Sequence, residues 1–387
     1  MIIENARVFI DGKFHDVDVR FNESEITEIG RNLYGSEVID GKGLDLYAGI
    51  IDAHCHGGFM CSFGHESRNS SLGSRFDQLQ FLAAKLPETG VTTVFPTLAA
   101  DLSGYDEEVE AVKFIRKVRK DLKGADLMKF HFELTYLTME RYFDEIGEIP
   151  LPSKEHSDYL VDGDYSDVAF ICVAPEMEGA MEWLDYVSSK GIIPEIGYTK
   201  CTAEQVIEAA DHGLGTCSHL FNGYMPMHHR ESSAVAGIML DDRIKAQLTM
   251  DGFHVNPAWV KLAIKAKGIE NCYGITDLSS VSGLPDGDNV MPDGSVVITR
   301  NGFNYRPDGH LLSGNNTMDR MMYRARNICG LTKEQVGLLY AENPASCLRI
   351  TDRGKIQVGR KSDFVLMDDD YNVKMTIING KVFYQAQ

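Results

Sequence analysis

The stretch that decides the fold is GIIDAHCHGG, residues 49–58. An apolar run ends in His54 and His56, and two glycines follow. This pattern predicts a buried β-strand that leads into a turn. Because side chains alternate faces along a strand, His54 and His56 project into the same space. Two adjacent imidazoles favour a divalent metal ion, although a pair of buried histidines bonded to backbone is the simpler alternative for an isolated H-x-H.

The composition is that of a globular protein with an acidic surface. Of the 387 residues, 43% are hydrophobic and 25% are charged, and the formal net charge is −19. This charge argues against nucleic acid or an anionic membrane as the main partner. The sequence contains no stretch like a signal peptide or a membrane span. Eight scattered cysteines without a C-x-x-C pair predict reduced thiols and a cytoplasmic protein.

Strand-like and helix-like segments alternate through residues 49–349. At least seven βα units fit there, which predicts an α/β protein built on a (β/α)8 barrel. Short strands separated by turn signals occupy residues 1–48 and return in residues 350–387. We expect these two end segments to pair into one small, discontinuous β-sandwich domain beside the catalytic barrel.

Polar residues with catalytic potential fall at the ends of the predicted barrel strands. They are His54, His56, His131, Glu176, His219, His254 and Asp277. In a (β/α)8 barrel the chemistry gathers at the carboxyl ends of the strands, so we expect these side chains to converge on one pocket. Glu133 shares a strand face with His131, and both are expected to line this pocket without an assigned role.

One set of these residues is sufficient for a metal centre. Two imidazoles and two carboxylates, from His54, His56, Glu176 and Asp277, could hold one ion and leave room for water. A divalent ion polarises a carbonyl and activates water, and a nearby carboxylate can transfer the proton. Asp277 is the candidate for that carboxylate, with a turn cap in the segment TDLSS as the alternative.

Short motifs follow one another along nearly the whole chain: GIIDAHCHGG, GVTTVFPTL, VAPEME, SHLFNG followed by HRE, DGFHV, ITD, LSGNNTM, AENPASCL and GKIQVGRKSDFVLMD. In this order they resemble the amidohydrolase superfamily, and within it the N-acetylglucosamine-6-phosphate deacetylases. The resemblance implies a metal-bearing barrel with a small β domain. It also implies hydrolysis of the acetamide of an amino-sugar phosphate, with zinc, iron or manganese as the cofactor.

The resemblance also implies roles for single residues. Glu176 in APEM and His219 in SHLFN resemble the family's metal ligands, and a core histidine is the alternative for His219. Asp277 in ITD resembles the catalytic acid/base.

Further positions resemble substrate contacts of the family: His254 in DGFHV, Arg230 in HRE, and Asn222 with Gly223 in SHLFNG. In the family that arginine reaches across from a neighbouring subunit, which implies a homodimer. A solvated loop charge beside Glu231 is the alternative for Arg230.

Two positions depart from the family pattern. Tyr198 in EIGYTKCT stands where the family has a metal-ligating histidine, and residues 131–135 read HFELT in place of H-L-E-G-P. A neutral phenol is a weak ligand, so one ion on the side of His54 and His56 is favoured over two. The departures leave two alternatives open, which are an amidohydrolase for a different amide and a non-catalytic protein that binds sugar phosphates.

Overall fold

The computed structural model describes residues 1–64, 72–99, 104–140, 148–291 and 294–387. In this described part of the chain, parallel strands follow one another around a barrel. They are β1 Ile50–Cys55, β2 Val91–Ala99, β3 Phe130–Tyr136, β4 Val168–Val173, β5 Glu195–Ile196, β6 Thr216–Cys217, β7 Lys245–Leu248 and β8 Cys272–Gly274. Each strand pairs with the next, and a bridge between Cys55 and Leu278 joins β1 to the chain after β8. The predicted (β/α)8 fold class is confirmed.

The barrel strands are apolar because both of their faces are covered. Every residue of β1 and β4 is buried, and β2 is buried along all but its last residue. Parallel strands with helices outside and side chains inside read as continuous apolar runs. The described α-helices are Arg75–Lys85, Tyr105–Val118, Lys154–Leu160, Ala180–Ser189, Ala203–Asp211, Ala234–Leu240, Pro257–Lys267, Met318–Asn327, Lys333–Gly337 and Asn343–Cys347. None of the helices in the described ranges is both long and apolar enough to cross a membrane.

Two further sheets pack together as a small sandwich. One contains, in spatial order, Ile26–Gly30, Asp18–Phe21, Ile2–Glu4 and Val38–Asp40. The other contains, in spatial order, Lys381–Gln385, Val373–Ile378, Phe364–Met367, Asp45–Ala48, Arg7–Ile10 and Lys13–Asp16. Strands from the two ends of the chain therefore pair directly, and a shared apolar cluster lies between the sheets. The domain boundaries at residues 48 and 350 stay a prediction.

An antiparallel sheet between β8 and the helix Met318–Asn327 was not predicted, and we call it the flap. Its strands are Gly287–Val290, Val296–Arg300, Phe303–Tyr305 and Leu311–Gly314. Asn301 and Gly302 have φ angles of 55° and 82° and form the two-residue turn of its central hairpin. The last flap strand brings Leu312 and Ser313 to the rim of the cavity at the barrel mouth. In the segment that departs from the family after residue 135, residues 141–147 lie outside the described residues.

Candidate metal centre

Polar side chains from the carboxyl ends of four barrel strands form one cluster, and its members His56, Glu133 and Asp277 line a cavity of about 280 Å³. His54 and His56 come from the end of β1, and Glu133 comes from β3. His219 follows β6, and Asp277 follows β8. The short distances between these side chains show that the strand ends form one site.

Three candidate ligand atoms lie close together, as the sequence predicts. His54 Nε2 and His56 Nε2 lie 3.3 Å apart, and Asp277 Oδ1 lies 3.3 Å and 3.6 Å from them. All three atoms lie within 4.8 Å of one another. Two imidazoles and a carboxylate are a common donor set for zinc and related ions, with a position left for water. The residues present therefore fit the metal that the resemblance implies.

Glu133 supplies the second carboxylate of this cluster. Its Oε1 lies 2.9 Å from His219 Nε2 and 3.3 Å from His54 Nε2, and its Oε2 lies 3.0 Å from His56 Nε2. Glu133 thus contacts all three histidines while being only 3% exposed. No role was predicted for Glu133 from the sequence. The available signal was a carboxylate near the end of an apolar strand, two residues after a histidine.

Glu176, which was predicted as a metal ligand, does not join this cluster. Its Oε1 accepts hydrogen bonds from the Thr138 hydroxyl and, at 2.7 Å, from the Lys200 backbone N–H. Its Oε2 accepts from the Thr199 hydroxyl at 2.5 Å. Among the described residues, its hydrogen-bond partners are Thr138, Thr199 and Lys200, and none of them is a histidine of the site. Glu176 lies three residues beyond the end of β4, where the chain has left the barrel mouth, and it links the segments after β3 and β5 instead.

Tyr198 closes the side of the cluster that faces His219. Its hydroxyl lies 2.8 Å from Glu133 Oε1 and 2.9 Å from His219 Nε2. The other nitrogen of His219, Nδ1, donates to the Asn222 backbone carbonyl at 3.0 Å, so Nε2 faces the cluster. Tyr198 is only 7% exposed. The phenol therefore contacts Glu133 Oε1 and His219 Nε2, which are the two donor atoms that a second metal ion on this side would need.

The charges in the cluster favour a bound cation. Burial alone would lower the pKa of His54, but the charges of Glu133 and Asp277 outweigh it and raise that pKa to about 10. Burial alone would raise the pKa of Glu133, but the charge of His54 and hydrogen bonds from His219, His54 and His56 hold it well below the usual range. Carboxylates that stabilise positive charge on neighbouring imidazoles this strongly would stabilise a divalent ion in the same place.

Three of the predicted substrate contacts lie beside the cluster. His254 lines the cavity, and its Nδ1 lies 2.6 Å from Asp251 Oδ2. Burial alone would lower the pKa of His254, but the hydrogen bond and charge of Asp251 and the charge of Asp277 raise it. Asn222 and Gly223 lie in the turn after His219.

Arg230 lies apart from the cavity. It is exposed within the segment 225–232, all of which is exposed. Among the described residues that line the cavity, none is a lysine or an arginine. Within one chain the structure therefore does not bring Arg230 to the cluster.

Unusual backbone conformations surround the mouth. Leu134, Tyr198, Phe221 and Asp277 are not glycines, yet their φ angles are 53°, 51°, 83° and 53°. Positive φ is uncommon for residues with a side chain, and such strain concentrates at functional sites. Each of the four lies in or just after a different barrel strand. This distribution supports the assignment of the mouth as the functional site.

Comparisons with known proteins identify the family of the chain. The profile of the amidohydrolase family matches residues 46–383. The chain is 28% identical to an N-acetylglucosamine-6-phosphate deacetylase of Bacillus subtilis (strain 168), with 99% of this chain and 94% of the relative covered. It is 26% identical to the Lysinibacillus sphaericus protein of the same name, with 100% and 98% covered.

Solved structures share the fold. The crystal structure of N-acetylglucosamine-6-phosphate deacetylase from Pasteurella multocida matches with a TM-score of 0.86 at 23% identity, and the match covers 100% of this chain and 99% of the other. A variant of the enzyme from Mycobacterium smegmatis in complex with N-acetyl-D-glucosamine-6-phosphate matches with a TM-score of 0.84 at 21% identity, with the same coverage.

Proposed function

The chain belongs to the amidohydrolase family of metal-dependent enzymes that hydrolyse carbon–nitrogen bonds, and we propose that it deacetylates N-acetylglucosamine 6-phosphate. The products are glucosamine 6-phosphate and acetate. Full-length similarity to relatives named for this reaction supports the substrate. The observation that carries the chemistry is the convergence of His54, His56 and Asp277 on one point, with Glu133 beside them.

The residues of the cluster have different roles in the proposed amide hydrolysis. His54, His56, Glu133 and Asp277 would hold a divalent ion, which would supply positive charge to polarise the amide carbonyl and the attacking water. Asp277 takes the proton from that water and delivers it to the leaving nitrogen. We assign this role to Asp277 because its side chain is 31% exposed toward the cavity, whereas those of His54 and Glu133 are 0% and 3% exposed. The C–N bond breaks, and the amine leaves with the transferred proton.

We propose one ion, bound on the side of His54 and His56. The contacts of the Tyr198 hydroxyl with Glu133 Oε1 and His219 Nε2 support this number. A neutral phenol is a weak ligand, so the seat between Glu133 and His219 is poorly suited to a second ion. The imidazole and carboxylate donors are compatible with zinc, iron or manganese.

Among the described residues that line the cavity, no lysine or arginine offers a permanent positive charge to the substrate's phosphate. We place His254, Asn222 and Gly223 at the sugar phosphate. Because the described cavity lining contains no lysine or arginine, we propose that Arg230 of a second copy completes the site in a homodimer. The exposed position of Arg230 and the exposed Met225 and Met227 beside it support this arrangement. The cytoplasmic location stays a prediction.

A second candidate is the same chemistry on a different amide. Leu134 favours it, because this leucine lines the cavity where the family pattern has a glycine, and it keeps the positive φ that a glycine adopts easily. A side chain at this position reduces the space beside Glu133.

The test is a panel of N-acyl substrates offered to metal-loaded wild type and to Asp277→Asn. We expect the wild type to prefer N-acetylglucosamine 6-phosphate over its unphosphorylated form, with acetate and free amine formed in equal amounts. We expect kcat of Asp277→Asn to fall by about 10²–10⁴-fold. Hydrolysis of other amides without a preference for phosphosugars would favour the second candidate. Binding without turnover would indicate a sugar-phosphate-binding protein.

A further inference from the structure

A chain of buried hydrogen bonds runs through the barrel behind His54. Gln247 Oε1 of β7 lies 2.9 Å from His54 Nδ1, and its amide nitrogen is hydrogen-bonded to Glu195 Oε1 of β5. Glu195 Oε2 lies 2.7 Å from His131 Nε2 of β3. His131 Nδ1 lies 3.1 Å from the Thr97 hydroxyl of β2. All five side chains are at most 1% exposed, and the proposed mechanism uses none of them except His54.

The chain closes into a ring at β1. The Thr97 hydroxyl oxygen accepts the backbone N–H of Cys55 at 2.9 Å, next to His54 in sequence. We call the set His54, Gln247, Glu195, His131 and Thr97 the buried ring. It connects five different barrel strands, so it ties the position of a proposed metal ligand to most of the barrel.

The hydrogen-bond chemistry fixes the direction of each link. A carboxylate only accepts, so the Gln247 group that faces Glu195 must be the NH₂. The carbonyl oxygen of Gln247 therefore faces His54, and His54 must donate from Nδ1. A neutral imidazole that donates from Nδ1 presents the lone pair of Nε2, and Nε2 is the atom that lies in the metal cluster.

Gln247 also reaches a second histidine of the site. Its Oε1 lies 3.4 Å from the His219 backbone N–H, in addition to the bond with His54. Glu195 in turn faces two donors, the Gln247 amide and His131 Nε2. Reversing the Gln247 amide would place two oxygens against each other at Glu195, so the ring permits one orientation only.

We infer that Gln247 and Glu195 are positioning residues that hold His54 in the metal-binding tautomer and orientation. This inference rests on the proposed metal site. Groups that accept the second N–H of a ligating histidine orient its ring, and their loss typically lowers metal affinity by about 10–100-fold. Gln247 provides this acceptor, and Glu195 fixes the acceptor's direction.

The first test measures Zn²⁺ affinity by competition with a chromophoric chelator, without substrate. Gln247→Met has a similar size and no hydrogen-bonding amide, and we expect it to bind Zn²⁺ at least about 10-fold more weakly than wild type. The matched control is Thr376→Val in the small β domain, which removes the buried hydrogen bond from the Thr376 hydroxyl to the Pro87 carbonyl. The control should lose stability in the metal-free protein and keep the Zn²⁺ affinity of wild type.

A charge swap separates positioning from simple packing. Gln247→Glu alone places two carboxylates side by side, and Glu195→Gln alone removes the group that fixes the amide direction, so each should weaken Zn²⁺ binding. In the double variant, the carboxylate at position 247 accepts from His54 Nδ1 and from the amide at position 195. The amide oxygen at position 195 accepts from His131. The ring is complete again, and we expect the double variant to recover most of the affinity.

The outcomes distinguish this inference from the function it rests on. Wild type that binds no Zn²⁺ would overturn the metal site, and the inference would fail with it. Wild type that binds Zn²⁺, together with a folded Gln247→Met of equal affinity, would overturn the inference alone. A double variant no better than the worse single variant would also overturn it.

Discussion

At the scale of single residues, the arrangement of the site centres on the carboxylate of Glu133. It contacts ring nitrogens of His54, His56 and His219. The Tyr198 hydroxyl donates a hydrogen bond to Glu133 Oε1, the oxygen that also contacts His219 Nε2. A carboxylate buried among histidines requires a positive charge beside it. Protons on the imidazoles or a divalent ion would each provide that charge, and the two compete for the same atoms.

Glu133 and Glu176 form a matched pair for testing this assignment. We expect Glu133→Gln to lose most bound metal, because it removes a charged donor from the cluster. Glu176→Gln should retain the metal content of wild type, since the contacts of Glu176 are with Thr138, Thr199 and Lys200. The measurement is metal content per chain after purification without chelator. Loss of metal in Glu176→Gln with retention in Glu133→Gln would reverse the assignment.

A second prediction concerns pH and the pair of His254 and Asp251. Burial alone would lower the pKa of His254, but the carboxylates of Asp251 and Asp277 raise it, so the imidazolium that we place at the phosphate persists to higher pH. Asp251→Asn removes that support and lowers the pKa. We therefore expect KM for the phosphosugar to begin rising at a lower pH in the variant, while kcat changes less.

The measurement is the pH profile of KM for both proteins. The unphosphorylated sugar serves as the control substrate, for which the two profiles should not separate. Identical profiles with the phosphosugar would show that His254 does not bind the phosphate as a cation.

The residue types of the site were predictable from the sequence, but the glutamate that joins the histidines was not. His54, His56 and Asp277 converge as the sequence analysis expects. Glu176 was predicted as the carboxylate partner because its APEM motif resembles that of a family ligand and because it follows an apolar strand, but Glu133 also follows apolar residues. Sequence alone does not show how far a chain has moved from the barrel mouth three residues after its strand ends.

At the scale of elements, the flap forms one wall of the cavity through Leu312 and Ser313. It was not predicted because its strands are short and most of their residues are exposed or half-exposed, without a continuous apolar run. The barrel strands were predictable because burial on both faces requires such runs. An N-G turn signal was present at Asn301 and Gly302, and it was the available evidence for the hairpin.

Two glycines of the flap provide a controlled test of this wall. Gly302 and Gly309 have φ angles of 82° and 85°, so alanine is strained at either position. A Cβ at Gly302 would lie 2.6 Å from Asn316 Oδ1, whereas a Cβ at Gly309 would meet no atom within 4 Å. Asn316 lines the cavity. We expect Gly302→Ala to raise KM by displacing Asn316, and Gly309→Ala to leave KM near that of wild type.

Both alanine variants should lose stability for the same backbone reason. The left-handed conformation costs a residue with a side chain about 1–2 kcal/mol, and the clash at Gly302 adds to that. The free energy of unfolding from urea titration and KM from steady-state kinetics are the two measurements. Equal KM values in the two variants would show that the flap wall does not contact the substrate.

At the scale of the whole molecule, the pairing of the N-terminal and C-terminal strands was predictable from the sequence. Whether one chain supplies every group that the substrate needs was not predictable. The C-terminal strands were too few to bury a core of their own, which made their pairing with the N-terminal strands the expected solution. The lack of lysine and arginine in the described cavity lining emerges only from the structure. Because the proposed substrate is anionic, we propose that a second copy of the chain supplies the missing positive charge.

Subunit complementation tests the homodimer. Arg230→Met and Asp277→Asn should each be nearly inactive on the phosphosugar. If Arg230 acts on the neighbouring copy, a mixed dimer has one site with both native residues, and co-expression should restore part of the activity. No recovery in verified mixed dimers would place Arg230 outside the neighbouring site.

The most direct test of the central claim is a titration of metal-free wild type with Zn²⁺ while acetate release from N-acetylglucosamine 6-phosphate is followed. We predict that the rate rises in proportion to added metal and levels off at one ion per chain. One complete metal site is proposed at His54, His56, Glu133 and Asp277, and the Tyr198 hydroxyl contacts the atoms that a second ion would need. No acetate at any metal concentration would contradict the proposed deacetylase. A rate that appears only with a second ion would contradict the one-ion centre.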